Sequence, residues 1–166
     1  QGPRGHRTGP PPAAAAAETA SAAALLDLLD LPRESSVGFV TGATMASFTC
    51  LAAARGAVLR RAGWNIDADG MAGCPPITVV LGEEAHSTIY AGLKYLGFGE
   101  RNFVKVAVNR EGAMEPRAFA KAMDGTSGPT IVIAQAGHIN SGAFDPFTEI
   151  ARIAPALVLL GTLAAA

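Results

Sequence analysis

Residues 77–97 read ITVVLGEEAHSTIYAGLKYLG, and this stretch decides the fold class. Residues 77–81 form a short aliphatic and β-branched run without polar alternation, which suits a strand buried on both faces of a parallel sheet. The chain then turns through GEEAH (82–86) into a predicted helix from about Ser87 to Leu96. Gly97 stands where a helix closes with a residue in the left-handed conformation.

The same rhythm extends both ways. Residues 37–40 (VGFV) are predicted as a strand, 41–44 (TGAT) as a turn and 45–62 as a helix. Residues 103–108 and 130–134 are further predicted strands, with a helix over 116–123 opened by Pro116 and another over 146–154. Upstream, 18–31 suits a helix stopped before Pro32. Apolar strands alternating with helices define an α/β fold, a mainly parallel sheet with helices on both faces. Residues 156–160 (ALVLL) suit a fifth strand, and no helix follows. The expectation is a partial large domain over 18–166 with an uncovered sheet edge. Residues 1–17 (QGPRGHRTGPPPAAAAA) are low in complexity and expected to be unordered.

Composition narrows the functional classes. The 166 residues carry 13 Lys and Arg against 14 Asp and Glu, a formal net charge of −1, which argues against a nucleic-acid partner. Charged residues make up 16%, below the usual ~25%, so the chain reads as one with a buried interface or as a piece of a larger protein. Cys50 and Cys74 fit no metal or redox spacing and no disulfide framework, which favours reduced thiols and a cytoplasmic setting. No apolar run reaches the ~20 residues of a membrane span.

Ligands of open α/β sheets sit beyond the carboxyl ends of the strands. Three segments are expected there: 41–44, 82–88 and 135–143. The small residues of TGAT let backbone N–H groups and a helix N-terminus face an anion, with the Thr41 and Thr44 hydroxyls beside them. The segment lacks the lysine and spacing of a Walker A loop, and an ordinary capped turn is the alternative. His86, at a strand end, either stacks on a flat ligand and moves a proton or simply caps a helix. A metal site drawing on His86, His138 and one glutamate is not demanded by any spacing, and none is expected.

Together, VGFVTGATMASF (37–48) with LAAAR (51–55), EAHS (84–87) and GAFDP (142–146) resemble the pyridoxal-phosphate-dependent group II amino-acid decarboxylases, in matching order over about residues 25–154. That family includes the aromatic amino-acid, glutamate and diaminobutyrate decarboxylases and has the aspartate aminotransferase-like (type I) fold. The resemblance implies that Gly42, Ala43 and Thr44 cradle the phosphate of pyridoxal 5'-phosphate, and that His86 stacks on its ring and assists proton transfer. It implies that the 137–142 loop approaches the ring hydroxyl. Where many relatives have Gly-Thr-Thr, this chain has Gly137-His138-Ile139, leaving Asn140 or Ser141 for that contact.

Two further departures concern the chemistry. The family's ring-nitrogen aspartate has no counterpart, since no carboxylate side chain follows Glu149. None of Lys94, Lys105 and Lys121 lies in the context of the Schiff-base lysine. Without those groups the cofactor is a poor electron sink and has no anchor at its aldehyde. The resemblance thus implies a carboxy-lyase lineage, an amino-acid substrate and a homodimeric full-length protein, with this chain a fragment inactive alone. A non-catalytic phosphate- or partner-binding module and an aminotransferase or other type I enzyme remain the alternatives.

Overall fold

The computed structural model describes residues 12–154 and 159–163, and side chains only through residue 154. The expectation of unordered residues over 1–11, and the 156–158 part of the expected fifth strand, lie outside the described residues. The chain divides into two compact units between Val40 and Thr41.

The first unit contains helix α1 (Pro12–Leu28). It begins earlier than the expected residue 18, because a run of alanine is the strongest helix-forming sequence and Pro12 suits a first helical position. It also stops earlier than expected, with Asp30 at a positive φ of 51° and Arg33 paired with Asp27. Residues 37–40, expected as a strand, are not one. A strand exists only against a partner, and none of the sheet's ladders includes these residues.

The second unit is the α/β body. Helix α2 (Ala43–Arg61) is followed by a short α3 (Ile66–Asp69), whose N-cap Asn65 accepts from the N–H groups of Asp67 and Ala68. Neither α3 nor the 3-10 turn Glu100–Asn102 stands out in the sequence pattern. Strand β1 (Thr78–Gly82) leads to α4 (Ser87–Tyr95), β2 (Phe103–Val106) to α5 (Pro116–Asp124), and β3 (Thr130–Ala136) to α6 (Phe147–Ile153) and β4 (Leu159–Leu163). The strands lie in the order β2-β1-β3-β4, every pair parallel, with Val79 opposite both Phe103 and Ile131.

Strand alternation sorts the core into two layers. Val79, Leu81, Ile131 and Ile133 face one way, onto Leu51 and Leu59 of α2 and Ile89 and Leu93 of α4. Val80, Val132 and Ala134 face the other way, onto Phe119 of α5 and Ile150 of α6. Helices therefore cover both faces, as expected from strands apolar throughout. Helix α4 ends as Gly97 foretells: Gly97 has φ 82°, its N–H donates to Lys94 O, and the Phe98 N–H donates to Leu93 O. This is the left-handed helix closure, sealed by the burial of Leu93 and Phe98. Among the described residues no helix is long and apolar enough to cross a membrane.

Helices α2 and α4 approach closely because Gly92 has no side chain. A Cβ there would lie 3.1 Å from Leu51 Cδ1 and 4.0 Å from Phe48 Cα. One turn further, Arg55 Nη1 donates to Leu96 O at 2.7 Å, adding a cation at the carbonyl end of α4. Replacing Gly92 by valine should force the helices apart and lower stability by about 1–3 kcal/mol in urea unfolding. Alanine should cost less, since the tip of Leu51 can turn away. An unchanged unfolding midpoint for the valine chain would contradict this packing.

Candidate functional site

The strand order places a natural crevice. Strands β1 and β3 are adjacent and parallel, yet β1 sends its chain to α4 on one face while β3 sends its chain to α6 on the other. Divergence of this kind leaves a crevice beyond the strands' carboxyl ends. A cleft here is lined by Gly82, Glu84, Ala85, Gln135 and Asp145, with Gly112 beside them.

Helix α2 reaches the same end by its register with α4. Arg55 and Leu96 are 41 residues apart, and so are Leu51 and Gly92, so the two helices run side by side in one direction. The expected turn over 41–44 is corrected in detail: α2 begins at Ala43, so Ala43 and Thr44 are helical and Gly42 is the N-cap, with no side-chain cap. Gly42, Ala43 and Thr44 are exposed, and Ala46 is the first amide to bond back, to Gly42 O. The amides of Ala43, Thr44 and Met45 precede the first turn's bonds and point out along the axis.

His86 is the N-cap of α4. Its Nδ1 accepts from the Thr88 N–H at 3.3 Å and lies 2.8 Å from Thr88 Oγ1. The two readings of His86 in the sequence are therefore compatible, since the cap uses Nδ1 and fixes the ring in place.

Beyond β3, residues 137–142 make a tight loop that folds back on the strand. The His138 N–H donates to Ala143 O and the Gly142 N–H to His138 O, with Gly137 and Gly142 at φ 93° and 70°. Asn140 and Ser141 are exposed on it. The Ser141 hydroxyl donates to Glu111 O at 2.5 Å, so its proton is already committed within the protein.

Asp145 holds this end of the sheet together. One carboxylate oxygen accepts from the Met114 N–H at 2.7 Å and the other from the Gln135 N–H at 2.6 Å, while the Asp145 N–H donates to Gln135 O. A single buried side chain thus ties the end of β3 to the segment entering α5. Burial lifts the Asp145 carboxyl above its ordinary value of 3.8, and the two N–H bonds and the neighbouring His138 offset this only in part.

The site list read from the sequence omits Asp145, Glu84, Gly112 and His138. Asp145 stands inside the GAFDP motif, and a carboxylate set among apolar residues before a proline is a usable signal. His138 pairs with Glu84 across the crevice, Nε2 to Oε2 at 3.1 Å, and that contact joins segments no local pattern connects.

No family model matches the chain. It is 33% identical over 129 residues to tryptophan decarboxylase 1 of Oryza sativa subsp. japonica, covering 74% of this chain and 24% of that protein. It is 32% identical over 139 residues to L-2,4-diaminobutyrate decarboxylase of Rhizobium meliloti, covering 80% of this chain and 25% of that protein. The crystal structure of Oryza sativa TDC with PLP and tryptamine superposes with a TM-score of 0.73 at 26% identity, over 90% of this chain and 32% of that one. The fold is therefore that of the corresponding portion of a type I pyridoxal-phosphate enzyme. Over the span it shares with them, the chain belongs to the group II pyridoxal-phosphate-dependent decarboxylase family, and it spans about a quarter of the length of these curated relatives.

Asp145→Asn should destabilise the chain by about 1–3 kcal/mol, because the amide turns an N–H toward one of the two donors. The pH dependence has a definite sign. A carboxyl raised in the folded state binds more protons there than in the unfolded chain, so its stabilising contribution is complete below 3.8 and declines as pH rises through the folded value. The stability difference between the two chains, from urea unfolding, should be larger near about pH 4 than near about pH 7. A difference that grows with pH would contradict this assignment.

Proposed function

We propose that these 166 residues bind and orient pyridoxal 5'-phosphate as part of an amino-acid decarboxylase, with the phosphate at the first turn of α2 and the ring beside His86. The observation that carries this reading is the parallel packing of α2 against α4, with Gly42, Ala43 and Thr44 exposed at the start of one helix and His86 capping the other. Membership of the decarboxylase family supports it, as does the tryptophan decarboxylase structure with PLP.

The residues present fit the phosphate. A dianion suits the outward amides of Ala43, Thr44 and Met45, the helix dipole and the Thr44 hydroxyl. A Cβ on Gly42 would meet nothing within 4 Å, so the approach to those amides is open. His86, anchored through Nδ1, offers a fixed ring face and keeps Nε2 for a proton. Asn140 is the better loop contact for the ring hydroxyl, because the Ser141 proton is spent on Glu111 O.

Pyridoxal phosphate, when bound, supplies the electron-withdrawing ring that takes up charge as the substrate's carboxylate leaves. This chain's own residues supply position rather than that step. Lys94 lies in the last turn of α4, about 12 Å of helical rise from His86. Lys105 on β2 stands over the Tyr90 ring at 5.5 Å, and Lys121 is on α5, which packs against the opposite face. Both Asp145 oxygens are held by backbone amides, so that carboxylate is not offered to the ring nitrogen. We therefore assign cofactor binding to these residues and do not assign loss of CO₂ to them alone. An amino-acid substrate, a homodimeric whole protein and a cytoplasmic setting belong to the same proposal.

Gly42→Val tests it cleanly. Residue 42 has extended backbone at φ 161° and open space around it, so valine fits sterically, and urea unfolding of the same chain separates its weaker N-capping from any loss of binding. Titration with pyridoxal phosphate, followed by absorbance, should show affinity at least about tenfold weaker, or ~1.4 kcal/mol. Inorganic phosphate should compete in the unaltered chain. Equal affinity in the two chains would remove the phosphate assignment.

A further inference from the structure

His138 occupies a position that helix capping, strand pairing and the phosphate site leave unexplained. It is 9% exposed, its ring lies flat over the backbone of Gly112, and a Cβ on Gly112 would fall 2.7 Å from its Cδ2. Gly112 is also at φ 83°, so this ring-on-backbone contact has glycine as its natural partner. The ring touches three segments at once. Nε2 faces Glu84 Oε2 at 3.1 Å, two residues before His86. Nδ1 accepts from the Asn140 N–H at 3.4 Å and lies 3.2 Å from Ser141 Oγ.

These contacts fix where the protons are. An N–H donor at Nδ1 requires a lone pair there, so the neutral ring carries its proton on Nε2 and donates it to Glu84. Ser141 cannot donate to Nδ1, since its one proton goes to Glu111 O and it accepts from the Ala143 N–H. A proton arriving on Nδ1 reverses both relations. The imidazolium then repels the Asn140 N–H and donates to the oxygen of Ser141.

We propose that His138 is the positioning residue of the crevice: its ring holds the 137–142 loop to Glu84, and uptake of a solvent proton at Nδ1 exchanges the Asn140 N–H for the Ser141 oxygen as its partner. The charged groups that face it are Glu84, from the segment after β1, and Asp145, at the foot of the loop. The 109–113 turn contributes backbone at Gly112 and, through Ser141, the Glu111 carbonyl. The consequence for the site rests on the reading of this crevice as a cofactor site. Asn140, the loop residue assigned to the ring hydroxyl, is released when His138 is charged.

The test uses the whole chain, labelled with 15N and without ligand, so that its failure and that of the phosphate site are separate results. Histidine ring spectra should show His138 neutral with its proton on Nε2. On acidification Nδ1 should gain a proton, and the Asn140 amide resonance should shift with the same midpoint. Ser141→Ala removes the acceptor of the charged state, and the Asn140 shift should then occur at lower pH. His138→Gln should abolish the shift. A neutral ring protonated on Nδ1, a ring that never takes up the second proton, or an Asn140 amide that stays still while the ring titrates would each overturn the proposal. These three readings come from the unaltered chain and do not depend on the variants folding.

Discussion

A buried carboxylate anchors the end of the sheet where two neighbouring strands part company. Beyond β1 and β3 the chain leaves to opposite faces, and backbone amides beside that fork turn to a side chain for their partner. Asp145 accepts from two of them, Gln135 at the end of β3 and Met114 before α5. An orphaned buried amide costs about 1–3 kcal/mol, so two such bonds on one side chain outweigh much of the penalty of burying it. The raised carboxyl shows that the compensation is incomplete.

The remaining parts of the site are aligned by packing. Gly92 lets α2 lie against α4, and Arg55 locks the far end of the pair. Two parallel helices packed in this register point their N-terminal ends the same way, toward the carboxyl ends of the strands. The Glu84–His138 pair then ties the loop after β1 to the loop after β3 across the opening. Core, helix register and polar clasp thus act on one place.

What the sequence made legible follows from locality. The uninterrupted aliphatic runs of β1 and β3, Pro116 at the start of α5 and Gly97 after α4 are signals carried by the residues themselves, and each element lies close to where they place it. Residues 37–40 have a strand's composition but no ladder, because pairing is a property of the neighbour as much as of the segment. Residues 12–17 look featureless by complexity, yet alanine's helix propensity needs no pattern. Of the proposed site, Gly42 to Thr44 and His86 stand out in the sequence as a small-residue turn and a polar ring at a strand end. The contact of His138 with Gly112 is not legible there, since it depends on two turns that meet only once the sheet has formed.

The central claim is the proposal that the first turn of α2, His86 and the 137–142 loop together hold the cofactor. A crystal structure of the chain grown with pyridoxal phosphate tests it most directly. The phosphate should lie against the amides of Ala43, Thr44 and Met45, with the ring over His86 and its hydroxyl toward Asn140. A phosphate bound at any other end of the sheet, or Thr44 and His86 on opposite sides of it, would contradict the claim.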